Sequence, residues 1–129
     1  MKEMTKEWLK AAEDDLDVIE EILDVKHLSN MVAFHAQQAI EKSFKAVLEE
    51  KEIEIIKMHK LETLFSKIQN YLNFTIDLQL IKRLDEVYIE SRYPSDIGLL
   101  PDGKPGYEEA KEFYQFAKII FTNIKSLLS

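Results

Sequence analysis

Cysteine is absent from all 129 residues. That excludes disulfides, thiolate metal sites and a cysteine nucleophile, and it suits an intracellular chain. Arginine is nearly absent: Arg83 and Arg92 stand alone against fifteen lysines, and the formal net charge is −7. A broad phosphate-neutralising surface of the kind used by non-specific nucleic-acid binders is therefore not expected, and any phosphate contact has to be local. Long apolar runs are also missing. The opening MKEMTKEW lacks the apolar segment of a signal peptide, so the expected location is the cytoplasm, without membrane association. Proline and glycine number three each, and all six fall between Pro94 and Gly106. Outside that stretch the main helix breakers do not occur.

What is present is 46% apolar and 32% charged residues, a balance that describes one domain over residues 1–129 with a continuous core. Apolar residues recur at helical spacing along most of it. A first helix is expected from Thr5 to Asp24 on Leu9, Ala12, Leu16, Ile19 and Leu23, with Glu13, Asp14, Asp15, Asp17, Glu20 and Glu21 on solvated faces. Trp8 borders that stripe as a core residue or a ligand anchor. Ser29 is placed to cap a second helix that runs to about Glu50. KEIEIIKMH, residues 51–59, reads as an irregular or briefly extended connection. A shorter helix follows on Leu61, Leu64, Phe65, Ile68 and Leu72, with His59 expected to cap it or to contact the preceding turn. The next begins near Asp77, turns Leu80, Ile81, Leu84, Val87 and Tyr88 inward, and must stop by Tyr93 because Pro94 disfavours helical backbone before it. PSDIGLLPDGKPG, residues 94–106, is the one true loop, either mobile and functional or simply disordered. The last helix spans Tyr107 to Leu128, with Ala110, Phe113, Ala117, Ile120, Ile124 and Leu127 inward and Tyr114, Phe116 and Phe121 widening that face. The expected fold is all-α, an antiparallel up-and-down bundle of four long helices and one shorter one.

Within this pattern the stretch Val32–Leu48 stands out. Gln37 lies in the row Ala33, Ile40, Phe44, Leu48, where burial alone would favour Leu or Ala. A buried amide needs partners or water, whereas at the margin of the apolar face it would simply reach solvent; the spacing allows both. A parallel row carries His35, Gln38, Lys42 and Lys45. Asp24 and His27 lack the further carboxylates or histidines a metal would need, and no metal or cofactor is expected. Phosphate-binding loops, nucleophile elbows, zinc-protease helices and carboxylate dyads are not found in the sequence.

Several short motifs in a fixed order carry more information. Trp8, Ala12 and Asp15-Leu16 are followed by Phe34-His35-Ala36-Gln37-Gln38-Ala39-Ile40-Glu41-Lys42 with Lys45-Ala46, then His59-Lys60-Leu61 with Leu64, then Arg92-Tyr93-Pro94 ahead of the loop. In this order the chain resembles the HEPN family, the higher eukaryote and prokaryote nucleotide-binding domains. The resemblance spans nearly the whole chain. It implies a helical bundle that commonly forms homodimers, is often paired with a minimal nucleotidyltransferase in toxin–antitoxin-like two-component systems, and in several branches cuts RNA without metal.

The cutting branch carries an arginine followed, after four to six residues, by a histidine. Here those positions are Ile97, Gly98 and Leu99 after Arg92, and Tyr88, Ile89 and Glu90 after Arg83, and no histidine follows His59. The resemblance therefore points to a nucleotide- or RNA-binding subunit, with His35, Gln38, Lys42, Arg92 and Tyr93 as binding residues. Arg92 is suited to clamp a phosphate and Tyr93 to stack on a base. Gln37, Glu41, His59 and Pro94 form a structural or secondary set, in which Glu41 is a possible partner for Arg92. Two alternatives remain: a metal-independent ribonuclease with a relocated histidine, His35 or His59, and a structural dimerisation module without ligand.

Overall fold

The computed structural model describes residues 1–55, 57–91 and 105–129. The described residues form five α-helices, α1 (Glu3–Ile22), α2 (Ser29–Glu50), α3 (Leu61–Ile68), α4 (Leu78–Ser91) and α5 (Tyr107–Leu128), and no strand. Four long helices and one of 8 residues match the expected all-α composition.

The centre of the bundle is α2, which packs on α1, α3, α4 and α5. Ala33, Ala36, Ala39 and Ala46 are fully or almost fully buried on it. Small side chains on several faces of one helix let neighbouring backbones approach from several directions, while Ile40, Phe44, Val47 and Leu48 fill the space between them. The wide apolar face of α5 is met by α2 and α1, with Ala110, Phe113, Ala117, Ile120 and Ile124 inward as expected, together with Tyr114 and Phe121. At its end Leu128 is buried and Leu127 only half-buried, so the inward face drifts by one residue from the position expected of Leu127.

Several helix ends differ from the sequence expectation. α1 begins two residues early because Glu50, at the far end of α2, accepts both the Lys2 backbone N–H at 3.0 Å and the Thr5 hydroxyl at 2.9 Å. Ser29 does not cap α2. A 3-10 turn, Lys26–Leu28, runs straight into the helix and its Lys26 carbonyl takes the Ser29 N–H, leaving the Ser29 hydroxyl to donate to the Pro105 carbonyl at 2.7 Å. α2 closes with Glu52 in the left-handed region at φ 57, where the Ile53 N–H bonds Leu48 and the Glu52 N–H bonds Glu49. These are the two hydrogen bonds that end a helix on a left-handed residue, a position glycine would hold without strain.

The connection after α2 has neither helix nor strand among its described residues, as its pattern implied. α3 then stops at Ile68 and tightens into a 3-10 turn, Gln69–Tyr71, so Leu72 lies beyond the helix. Its opening N–H groups are met by Asp85 of α4, not by His59: Leu61 donates to one carboxylate oxygen at 2.8 Å and Glu62 to the other at 3.1 Å. At the start of α4, Asp77 accepts the N–H of Gln79 at 2.9 Å. Arg83 joins α4 to α5 through a two-pronged contact with Glu109, at 3.0 and 2.9 Å. On α4, Ile81, Leu84 and Val87 are buried, while Leu80 and Tyr88, expected inward, are half-buried. Arg92, Tyr93, Pro94 and most of the 94–106 loop lie outside the described residues.

Candidate functional site

The polar residues of α2 sort into two carboxylate-centred groups. In the first, Asp15 of α1 reaches across to α2: Oδ1 lies 2.8 Å from Nδ1 of His35 and Oδ2 lies 2.6 Å from Nζ of Lys42. His35 and Lys42 are seven residues apart, two helical turns, so both project from one side of α2 and a single carboxylate spans them. Asp15 was expected on a solvated face and is buried instead. It stands at helical spacing with Trp8, Ala12, Ile19 and Ile22, at the edge of the inward stripe, and that register was the available signal.

The second group is built on Glu41, whose side chain is 5% exposed. Lys45, 7% exposed, donates to Oε2 at 2.9 Å, and Nδ1 of His59 lies 3.2 Å from the same oxygen. Gln37 has no exposed surface. Its Nε2 donates to the His59 carbonyl at 2.8 Å, with Glu41 Oε1 at 3.5 Å, and its Oε1 accepts from Gln38 at 2.8 Å. Of the two readings the spacing allowed for this amide, the structure selects the partnered one, and the partners include the connection that leads into α3. His59 therefore fastens that connection back onto α2 through both its ring and its carbonyl. Lys45 also lies 5.5 Å from the centroid of the Trp8 ring, which borders the core on α1.

Rings of these two groups meet in a row. Phe34 of α2 and Tyr88 of α4 stack at 5.8 Å with planes 16° apart. His35 stands edge-on to Phe34 at 5.2 Å, and His59 leans on Tyr88 at 6.2 Å. Exposure varies along the row: the His59 side chain is 49% exposed, that of His35 21%, and Phe34 and Tyr88 are half-buried. Each imidazole has a carboxylate against Nδ1. An ionised carboxylate only accepts, so Nδ1 carries the proton and Nε2 of the neutral ring is the acceptor. Phe34 and Tyr88 were not singled out as site residues from the sequence, where Phe34 appears only within the HEPN-like motif and Tyr88 as an inward residue of its helix. Among the described residues no group of three or more His, Asp and Glu side chains is arranged to hold a metal ion, and no helix is long and apolar enough to cross a membrane.

Residues 5–127 match the model of the HEPN domain, and the chain belongs to the HEPN family. No curated protein matches it. The crystal structure of TT1696 from Thermus thermophilus has the same fold, with a TM-score of 0.80 at 24% identity over 98% of this chain and 99% of that one. The crystal structure of ST0689, an archaeal HEPN homologue, is similar at 26% identity, with a TM-score of 0.71 over 100% of both chains.

Proposed function

We propose that the chain is the nucleotide- or RNA-binding subunit of a toxin–antitoxin-like two-component system, acting in the cytoplasm as a symmetric homodimer beside a minimal nucleotidyltransferase. The supporting observation is the ring row His35–Phe34–Tyr88–His59, because surface aromatic rings are the common means of holding bases. In this reading Arg92 contacts a phosphate and Tyr93 adds a further ring, four and five residues on from Tyr88. Gln37, Glu41 and Lys45 hold the platform in place and do not touch ligand. A two-fold axis would present the platform twice.

Calorimetry with mononucleotides and short single-stranded RNA tests the reading, with light scattering for the dimer and co-purification from the native host for the nucleotidyltransferase. Arg92→Ala is expected to weaken binding by roughly 1.5–3 kcal/mol, and Arg92→Lys to recover only part of that because the two-pronged donor is lost. A folded native protein that binds neither ligand refutes the proposal.

The second reading, a metal-independent ribonuclease, is favoured by one observation: both imidazoles are oriented by carboxylates, the arrangement that readies Nε2 as a base. Cleavage of single-stranded RNA in the presence of chelator, lost on His35→Ala or His59→Ala, would establish it in place of the binding-only role.

A further inference from the structure

The lysines around His35 and His59 divide into held and free. Lys42 is held by Asp15 at 2.6 Å and Lys45 by Glu41 at 2.9 Å, and moving Lys45 away would strand a buried carboxylate. Lys57 and Lys60, on either side of His59 in the connection that leads into α3, are exposed and form no ion pair among the described residues. Three acids on the neighbouring helices are engaged with other groups: Glu41 holds Lys45 and His59, Asp85 takes the N–H groups of Leu61 and Glu62, and Glu62 pairs with Lys82 at 3.8 Å. Between Ile55 and Leu61 the sequence itself carries no acid. A chain of net charge −7 repels a polyanion as a whole, so exposed and unpaired cations are where one can approach it.

From this we infer that the connection at residues 57–60 is a phosphate-contacting segment, in which Lys57 and Lys60 take the sugar-phosphate backbone of single-stranded RNA in addition to the contact assigned to Arg92. The inference rests on the reading that the chain binds nucleotides or RNA, and it names a further part of the site that holds the strand. The backbone bearing both lysines is fastened to α2 at His59: Nδ1 lies 3.2 Å from Glu41, and the carbonyl accepts from Gln37 at 2.8 Å. Burial of Glu41 and Gln37 fixes those anchors in turn. The two ammonium groups are therefore carried on a held segment and move only at the ends of their own stems. His59 also leans on Tyr88 at 6.2 Å, which places the segment beside α4, and Arg92 follows Tyr88 by four residues in the sequence. An ammonium on a phosphate is a point-charge contact that reads no base, so these lysines position a strand without selecting its sequence.

The test is equilibrium binding of the full chain to labelled oligouridylate and oligoadenylate of equal length across a range of salt concentrations. Lys57→Gln/Lys60→Gln, checked for folding by circular dichroism, is expected to flatten the plot of log affinity against log salt by about 1.4, the share of two phosphate contacts on a single strand, and to lower low-salt affinity about tenfold or more. Both oligomers should lose by the same factor. Lys57→Arg/Lys60→Arg keeps both charges and should bind as the native protein does. Lys67→Gln/Lys118→Gln makes the same change in net charge from α3 and α5, at two exposed lysines that have no carboxylate partner among the described residues, and should leave the slope unchanged. If the native protein binds and Lys57→Gln/Lys60→Gln alters neither slope nor affinity, the inference falls while the RNA-binding reading stands. An equal loss in Lys67→Gln/Lys118→Gln, or a loss confined to one of the two oligomers, overturns it as well. If the native protein binds neither oligomer, both fall.

Discussion

Asp15 and His35 lie on different helices, yet the Asp15 carboxylate is 2.8 Å from Nδ1 of His35, and its second oxygen holds Lys42 at 2.6 Å. One side chain of α1 thereby determines the placement of two side chains of α2. Asp15→Ala leaves the ammonium without its carboxylate and the imidazole unanchored, and is expected to lower unfolding stability by roughly 1.5–3 kcal/mol. Denaturant midpoints measure this, and an unchanged midpoint would show that the contact stabilises nothing net. Asp15→Asn, which keeps volume and one acceptor, should cost less.

Gln37 is buried with its amide nitrogen on the His59 carbonyl. Gln37→Leu preserves bulk but leaves that carbonyl and Gln38 each without a partner. The expected loss is about 1–3 kcal/mol. Amide exchange should accelerate selectively around Met58–Lys60, because the connection loses one of its two fastenings to α2; uniform protection there would contradict the assigned role.

Asp85 opens α3 from another helix, accepting N–H groups from Leu61 and Glu62. Removing this cap in Asp85→Ala should cost roughly 0.5–2 kcal/mol. Burial raises the Asp85 pKa above the ordinary 3.8, against the lowering effect of the two N–H bonds. The folded state therefore binds this proton more tightly than the unfolded chain. As pH falls through the titration of Asp85, the wild type gains stability from this group, and the gain is lost again as pH rises. Denaturant midpoints of wild type and Asp85→Asn, compared at successively lower pH, should move in favour of the wild type.

Tyr114 donates to Glu20 at 2.8 Å, and burial, followed by that carboxylate, pushes its pKa up to about 12. The neutral phenol is favoured by folding, so its contribution is complete below the ordinary tyrosine value of 10.0 and disappears as pH rises toward 12. Tyr114→Phe should flatten the alkaline loss of stability between those limits, as read by thermal melts at fixed pH. An identical alkaline profile in the variant would show that another group is responsible.

Much of the fold was legible because helical periodicity is a local property: residues three and four apart share a face whatever surrounds them. The α5 boundaries and the inward placement of Ile81, Leu84 and Val87 on α4 follow from it. The ordered motifs from Trp8 to Arg92-Tyr93-Pro94 together indicated the HEPN family, and Gln37 in an apolar row already required either a partner or an edge position. The helix ends were less legible: Asp85 serves the start of α3 that His59 was expected to cap, Lys26 takes the Ser29 N–H at the start of α2, and Glu50 draws α1 two residues earlier, with Asp85 and Glu50 acting from other helices.

His35 and His59 were named from the sequence, but the ring row that they join was not. Asp15 looked like one acid among six apart from its register at the edge of the inward stripe, and the packing of α1 on α2 is what buries it against His35 and Lys42. Phe34 and Tyr88 are more than fifty residues apart, and nothing local in either helix specifies that their rings stack. Periodicity determines which face of a helix turns inward. Which polar groups then meet across the resulting interfaces, and which lysines are left to bind a ligand, is decided by distances that exist only after the helices have packed.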